Sequence, residues 1–214
     1  MNNEQYYIEK YLKLNPNELS SEQMILLKDN INHPKEGLVS DEYLDFYLWQ
    51  EEKPSRQELF ANYIEEELKI DKHKQILEVG CGINARLSQI LTQKGYSMTC
   101  IDPQLNMHKP ECFQKIKDKF DYRTYELSHY DFVVGQEPCD ATEHIVRACF
   151  QQKIPFVIIL CGVPHQLING YMPKDVWEWY QELVDITCGE AKLQMTDMYL
   201  YAQSALLSYY QKYM

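Results

Sequence analysis

The segment from Ile76 to Asp102, ILEVGCGINARLSQILTQKGYSMTCID, constrains the fold more than any other part of the chain. QILEV at 75–79 reads as a strand, and a tight turn carrying Gly80 and Gly82 follows it. A helix is expected over 85–94, with Leu87, Ile90 and Leu91 on one face and Gly95 where a helix C-terminal glycine belongs. SMTCI at 97–101 is the next strand, and it runs into Asp102. Glycine in such a turn allows positive φ and lets a ligand approach the backbone, while the helix N-terminus offers free amides. In doubly wound folds, an acid at the end of the second strand accepts hydrogen bonds from ribose hydroxyls. Turn and acid in register with two strands and a helix are far more specific than either feature alone.

The pattern continues downstream. Further strands are expected at 130–134 and 155–160, with a weak one near 122–127. The intervening helices are a stretch around Phe113, Ile116 and Phe120 and another over 141–152, with Ile145, Val146 and Cys149 inward. An amphipathic helix is expected over 173–185, with a proline in its first turn. KLQMTDMYLY and SALLSYYQKY then read as an antiparallel pair at a sheet edge, although the second fits a helix equally well. Strands alternating with helices imply a parallel sheet covered on both faces. The expected class is therefore α/β, Rossmann-like and doubly wound.

Two domains are expected, 1–70 and 71–214. The first 70 residues carry 15 acidic and 7 basic side chains against 17 and 14 in the rest, so the net charge of −11 is concentrated there. This N-terminal extension reads as helices, on the 3–4 spacing of Tyr7, Ile8, Tyr11 and Leu12 and of Leu59, Phe60, Tyr63, Ile64 and Leu68. Ser40 is a candidate N-cap, and Ser55 with Glu58 forms a capping box. Tyr43, Phe46, Tyr47 and Trp49 suit packing against the main domain, or the rim of a substrate pocket.

Two cofactor classes use a glycine turn of this kind. Gly80-x-Gly82-x-x-Ala85 satisfies the dinucleotide fingerprint. Glu78 argues against that class, because a carboxylate two residues before the first glycine would face a pyrophosphate; it suits a cofactor that presents an ammonium group. ILEVGCGIN resembles the first motif of the class I S-adenosylmethionine-dependent methyltransferases, an acid, any residue, then Gly-x-Gly. That resemblance implies that Glu78 and the turn through Gly80, Cys81, Gly82 and Asn84 hold the methionine end of S-adenosylmethionine, and that Asp102 holds the ribose. It also implies a seven-stranded sheet with antiparallel last strands, a layout that 71–214 fits. Where the family commonly has a third glycine, this chain has Asn84, a candidate cap for the next helix. Asp121 and Glu126 are both candidates for the acid after the third strand that contacts adenine.

QEPCDATEH, at 136–144, follows the fourth strand, where ligands bind in open α/β sheets. Gln136 belongs with the cofactor-binding residues, and Glu137 and Asp140 are candidate bases. Asp140-x-x-Glu143 also reads as a helix cap, and His144 is placed to pair with Asp140 one turn along. The Asn/Asp-Pro-Pro-aromatic motif of enzymes that methylate exocyclic nitrogens is missing, so methylation of that type is not supported. Cys139, His144, Cys161 and His165 lack a recognised zinc-ligand spacing, and no metal is expected.

Seven scattered cysteines without any Cys-x-x-Cys read as reduced thiols in a cytoplasmic protein. The N-terminus lacks a signal-peptide pattern, and the longest apolar run, IPFVIIL, is far short of a membrane span. Net negative charge disfavours nucleic acid and anionic membranes as partners, leaving a small molecule or a protein as methyl acceptor. Competing expectations are a non-catalytic binding or interaction module of the same fold and an NAD-dependent enzyme. The sequence does not fix an oligomeric state.

Overall fold

The computed structural model describes residues 54–108, 111–196 and 204–209. The chain divides into two compact units, 1–58 and 59–214. The aromatic cluster at 43–49, the Ser40 cap and the first expected helices lie outside the described residues. In the described end of the smaller unit the capping box forms: the Ser55 amide donates to Glu58 Oε2 at 2.7 Å, and the Glu58 amide to Ser55 Oγ at 3.3 Å. These bonds start helix α1, Arg56–Glu66. From Leu59 on, α1 belongs to the larger unit, where Phe60, Ala61 and Ile64 are fully buried.

That unit is built on a seven-stranded sheet. Its strands are β1 (Gln75–Val79), β2 (Ser97–Ile101), β3 (Gln114–Ile116), β4 (Phe132–Gln136), β5 (Phe156–Leu160), β6 (Lys192–Thr196) and β7 (Ser204–Tyr209). The spatial order is β3-β2-β1-β4-β5-β7-β6. The first five strands are parallel, and β7 runs antiparallel between β5 and β6. The doubly wound sheet with antiparallel last strands is thus as the sequence implies. SALLSY is a strand rather than a helix, because its pairing with both β5 and β6 buries all six of its residues.

Strand alternation divides the core into two layers, since successive side chains point to opposite faces. Leu77, Val79, Val133, Phe156 and Ile158 pack with Ile145, Val146 and Cys149 of α3 (Thr142–Gln152) and with Trp179 and Leu183 of α4 (Val176–Ile186). Ile76, Phe132, Val134, Val157 and Ile159 face the other way, onto α1 and onto Leu87 and Leu91 of α2 (Arg86–Gln93). Helices therefore cover both faces.

The region between β2 and β4 departs from expectation. Phe113, Ile116 and Phe120 are not one helix face: Phe113 packs with the α1–α2 layer, whereas Ile116 and Phe120 pack with the α3–α4 layer. Three residues, 114–116, add β3 beside β2 in place of that helix. No strand forms at 122–127. There the amides of Thr124 and Tyr125 close a turn on the Asp121 carbonyl, and the Leu127 amide bonds Gln152 Oε1 at 2.7 Å. The last helix begins later than expected. Asp175 caps it through the amides of Trp177 and Glu178, so Pro173 lies before it and not in its first turn.

Candidate functional site

Parallel strands end on the same edge of a sheet, so the segments after β1, β2, β4 and β5 meet at one rim. After β1 the chain turns through Gly80 at φ 73° and Gly82 at φ 66°. The two glycines are needed for different reasons. A Cβ on Gly80 would lie 2.7 Å from Pro138 Cβ and 2.9 Å from Pro138 Cα, whereas one on Gly82 would meet nothing within 4 Å. Gly80 makes room for protein, and Gly82 borders open space. The third left-handed residue of the loop is Ala85, at φ 47°.

Asp102 closes this turn. Its Oδ2 accepts the Gly82 amide at 2.9 Å, and its Oδ1 accepts the Gln104 amide at 2.7 Å. The Asn106 amide donates to the Ile83 carbonyl at 2.9 Å, tying the loop after β2 to the glycine loop. The expected register of turn and acid is present, with Asp102 engaged by backbone amides on both oxygens.

Strand alternation places Glu78 on the α2 face, where it is 2% exposed. Its Oε2 accepts both the amide, at 2.9 Å, and the hydroxyl of Ser88. The amides of a first helical turn have no partners within the helix, and the positive end of its dipole favours a carboxylate. Glu78 therefore caps α2 from the neighbouring strand. Asn84 does not cap it: Ala85 is the N-cap, with no side-chain bond, while the Asn84 carbonyl accepts Gln89 Nε2 at 2.8 Å. Burial pushes the Glu78 carboxyl up to about 7, against the Ser88 hydrogen bonds that favour its charged form. Cys81 packs with Ala85, Cys100 and Leu105, and the neighbouring Cys100 thiol together with burial pushes its own thiol up.

Gln136 ends β4, and the Glu137 amide extends the ladder to the Ile159 carbonyl at 2.8 Å. Glu137 and Cys139 both have positive φ, 50° and 47°, flanking the buried Pro138. Pro138 is seated between two glycines, because a Cβ on Gly135 would lie 3.1 Å from its Cγ. Gly135 was the missed signal: a glycine inside a strand marks close approach of other chain.

The helix cap expected at Asp140 and its pairing with His144 do not form. A 3-10 turn over Cys139–Ala141 precedes α3, whose N-cap, Ala141, has no side-chain bond, so Asp140 is no cap. Its side chain, 91% exposed, meets His165 Nδ1 at 3.1 Å. His144 turns away, accepting the Tyr122 amide on Nδ1 and lying 3.5 Å from Asp121; burial holds its imidazole below the ordinary histidine range. Glu143 is buried rather than capping. It takes two bonds from the Arg147 guanidinium, at 2.7 and 2.6 Å, and the Ile168 amide at 2.6 Å. Asp121 is thereby committed to His144 and Arg123, and the acid nearest the end of β3 is Asp118, two residues on.

The loop after β5 completes the rim. Cys161 and His165 come back beside Cys139, with all three ligand-capable atoms within 4.8 Å of one another. Trp179 packs beside the His165 ring at 5.1 Å, and the Tyr180 hydroxyl donates to the Cys161 carbonyl at 3.1 Å. The Cys139 thiol, the His165 imidazole and the Val163 amide hold the Cys161 thiol below the ordinary thiol range, while the bond to Cys161 and burial push Cys139 up.

Solved structures share this architecture. The sugar N-methyltransferase KedS8 from Streptoalloteichus aligns over 83% of this chain and 96% of its own, with TM-score 0.51 and 11% identity. Magnesium protoporphyrin IX methyltransferase from Synechocystis, solved with S-adenosylhomocysteine, covers 84% and 92% with TM-score 0.48 and 12% identity. The chain thus has the class I S-adenosylmethionine-dependent methyltransferase fold. No protein-family model matches the sequence, and no curated protein matches it.

Proposed function

We propose that this chain binds S-adenosylmethionine at the Gly80–Gly82 turn and transfers its methyl group to a small-molecule or protein acceptor. The observation that carries this is the buried Glu78 carboxylate beneath a turn that Asp102 holds closed. A carboxyl pushed up to about 7 by burial gains from an arriving ammonium and is made worse by a pyrophosphate. The open space beside Gly82, where nothing lies within 4 Å of a Cβ position, fits a ligand drawn against the backbone.

In this reading Glu78 and the turn through Gly80 and Gly82 receive the methionine end, and Asp102, whose Oδ2 holds the Gly82 amide, takes the ribose hydroxyls with its remaining lone pairs. Gln136 lies at the end of β4 on the same rim. S-adenosylmethionine, when bound, supplies a methyl already activated on sulfonium. The protein's work is then to align the acceptor and exclude water. We assign Asp140, hydrogen-bonded to His165, and Glu137 as the candidate bases for an acceptor proton. Net charge of −11 favours a small-molecule or protein acceptor over nucleic acid, and the seven free thiols suit a reducing cytoplasm. Among the described residues, no helix is long and apolar enough to cross a membrane.

The test is ligand-induced stabilisation. S-adenosylhomocysteine at a hundredfold excess over its Kd should add about 2.7 kcal/mol to unfolding. NAD should add nothing. Asp102→Ala should weaken the S-adenosylhomocysteine effect by about 1.5–3 kcal/mol of binding, the worth of hydrogen bonds to a charged group. Stabilisation by NAD alone would overturn the proposal in favour of a dinucleotide enzyme.

A further inference from the structure

We infer that Cys139, Cys161 and His165 form a site for a soft divalent metal ion, Zn2+ first among them, with its fourth position open. Cys139 comes from the loop after β4, and Cys161 and His165 from the loop after β5. Their three ligand-capable atoms already lie within 4.8 Å of one another. Tetrahedral zinc with ordinary Zn–S and Zn–N bonds sets such atoms about 3.5–3.8 Å apart. Closing the remaining gap takes about 1 Å, within reach of thiol rotation at the exposed Cys139.

His165 carries the second, independent observation. Its Nδ1 meets Asp140 Oδ1 at 3.1 Å, while its Nε2 is buried and without a hydrogen-bond partner. A buried polar atom left unpaired costs on the order of 1–3 kcal/mol. A carboxylate on one ring nitrogen and a free lone pair on the other is the arrangement of metal-ligating histidines, in which the carboxylate fixes the tautomer and the ring direction. Trp179 against the ring keeps it from swinging away. Among common divalent ions, two thiolates and an imidazole select zinc over magnesium or calcium, which prefer oxygen. Binding replaces the two thiol protons, which leave to solvent, and the vacant tetrahedral position is left for water or for a soft donor such as a thiol. His144, four residues from Asp140, takes no part, because it is turned to Tyr122 and Asp121.

The full chain, purified under reducing conditions, is titrated with Co2+ as a spectroscopic probe and then with Zn2+. The expected result is one equivalent of Co2+ giving thiolate charge-transfer and tetrahedral d–d absorption, both erased by Zn2+. Cys161→Ser should abolish the bands, and Cys188→Ser, at an exposed thiol elsewhere, should leave them intact. Asp140→Ala guards against a variant that merely misfolds, since its side chain is 91% exposed. It should keep the native circular dichroism and weaken metal binding 10–100-fold. The inference is overturned if the reduced chain shows no such bands, if Cys161→Ser binds like the wild type, or if Cys139 and Cys161 are joined by a disulfide in freshly alkylated protein. None of these readouts involves methyl transfer, so they stand apart from the proposed activity.

Discussion

Gly80 and Gly82 sit two residues apart with nearly the same backbone angles, yet alanine should affect them very differently. Both are left-handed, at φ 73° and 66°. An L-residue there costs about 1–2 kcal/mol, and removing glycine from the unfolded chain returns about 0.4–1 kcal/mol. For Gly82→Ala those terms are all there is, because the new methyl meets nothing within 4 Å. The expected loss of stability is about 1 kcal/mol. For Gly80→Ala the methyl would also lie 2.7 Å from Pro138 Cβ and 2.9 Å from its Cα. The Pro138 ring cannot rotate clear, and Gly135 fixes its other side, so overpacking adds a further 1–3 kcal/mol. Gly80→Ala should therefore be about 3 kcal/mol less stable than wild type.

Urea unfolding followed by far-ultraviolet circular dichroism measures both losses, at slopes that report whether the same surface is exposed. The ranking in S-adenosylhomocysteine binding should be independent of this stability order. Gly82→Ala fills the open side of the turn and should weaken binding although the fold is barely touched. If Gly80→Ala is no less stable than Gly82→Ala, Pro138 does not pack against the turn, and the argument for a shared rim fails.

Two further outcomes follow from buried carboxylates. Glu78 has its carboxyl near 7 in the folded chain and near 4.5 when unfolded, so its contribution is fully present below pH 4.5 and is lost as pH rises through about 7. That loss is on the order of 3 kcal/mol, and Glu78→Gln should remove this downward slope from the wild-type stability profile measured in urea between pH 4.5 and 8; parallel profiles would show that Glu78 does not titrate in that window. Glu143→Ala should cost about 2–3 kcal/mol, since it strips the acceptor from Arg147 and from the Ile168 amide. Hydrogen exchange should then show faster opening of the Cys161–Ile168 loop, and an unchanged loop would mean that Glu143 does not anchor it.

The sheet was legible because its signals are local. Five-residue apolar strands and Gly80, Gly82 and Gly95 at positive φ each announce themselves in a few residues. The third strand was hidden for the opposite reason. Its three residues are exposed or half-buried, and the apolar spacing of Phe113, Ile116 and Phe120 mimics a helix that would need them on one face. At the rim the failure was one of pairing. Asp140 with Glu143, and Asp140 with His144, are the short-range partnerships that helix spacing suggests. The fold instead sends Glu143 to the Ile168 amide and Asp140 to His165, each 25 residues away. Spacing on one helix cannot report contacts made by a loop returning from the next strand.

Pro138 links the two halves of the rim. Its ring fills the space that Gly80 leaves open, and the next residue, at φ 47°, is the thiol facing Cys161. A left-handed non-glycine residue costs about 1–2 kcal/mol and persists only where its surroundings hold it. Here Gly80 and Gly135 hold Pro138 on two sides, and the Ala141 amide accepts no freedom either, since it donates to the Pro138 carbonyl at 2.9 Å. The loop after β4 is thus positioned by the turn after β1, before any ligand is considered. On the far side, Glu143 ties the loop after β5 to α3, which starts directly from that same 3-10 turn. Cys139, Cys161 and His165 are brought together by two anchors that meet at residues 138–143. A ligand seated at the glycine turn and a ligand seated among the thiols would therefore press on the same short piece of backbone.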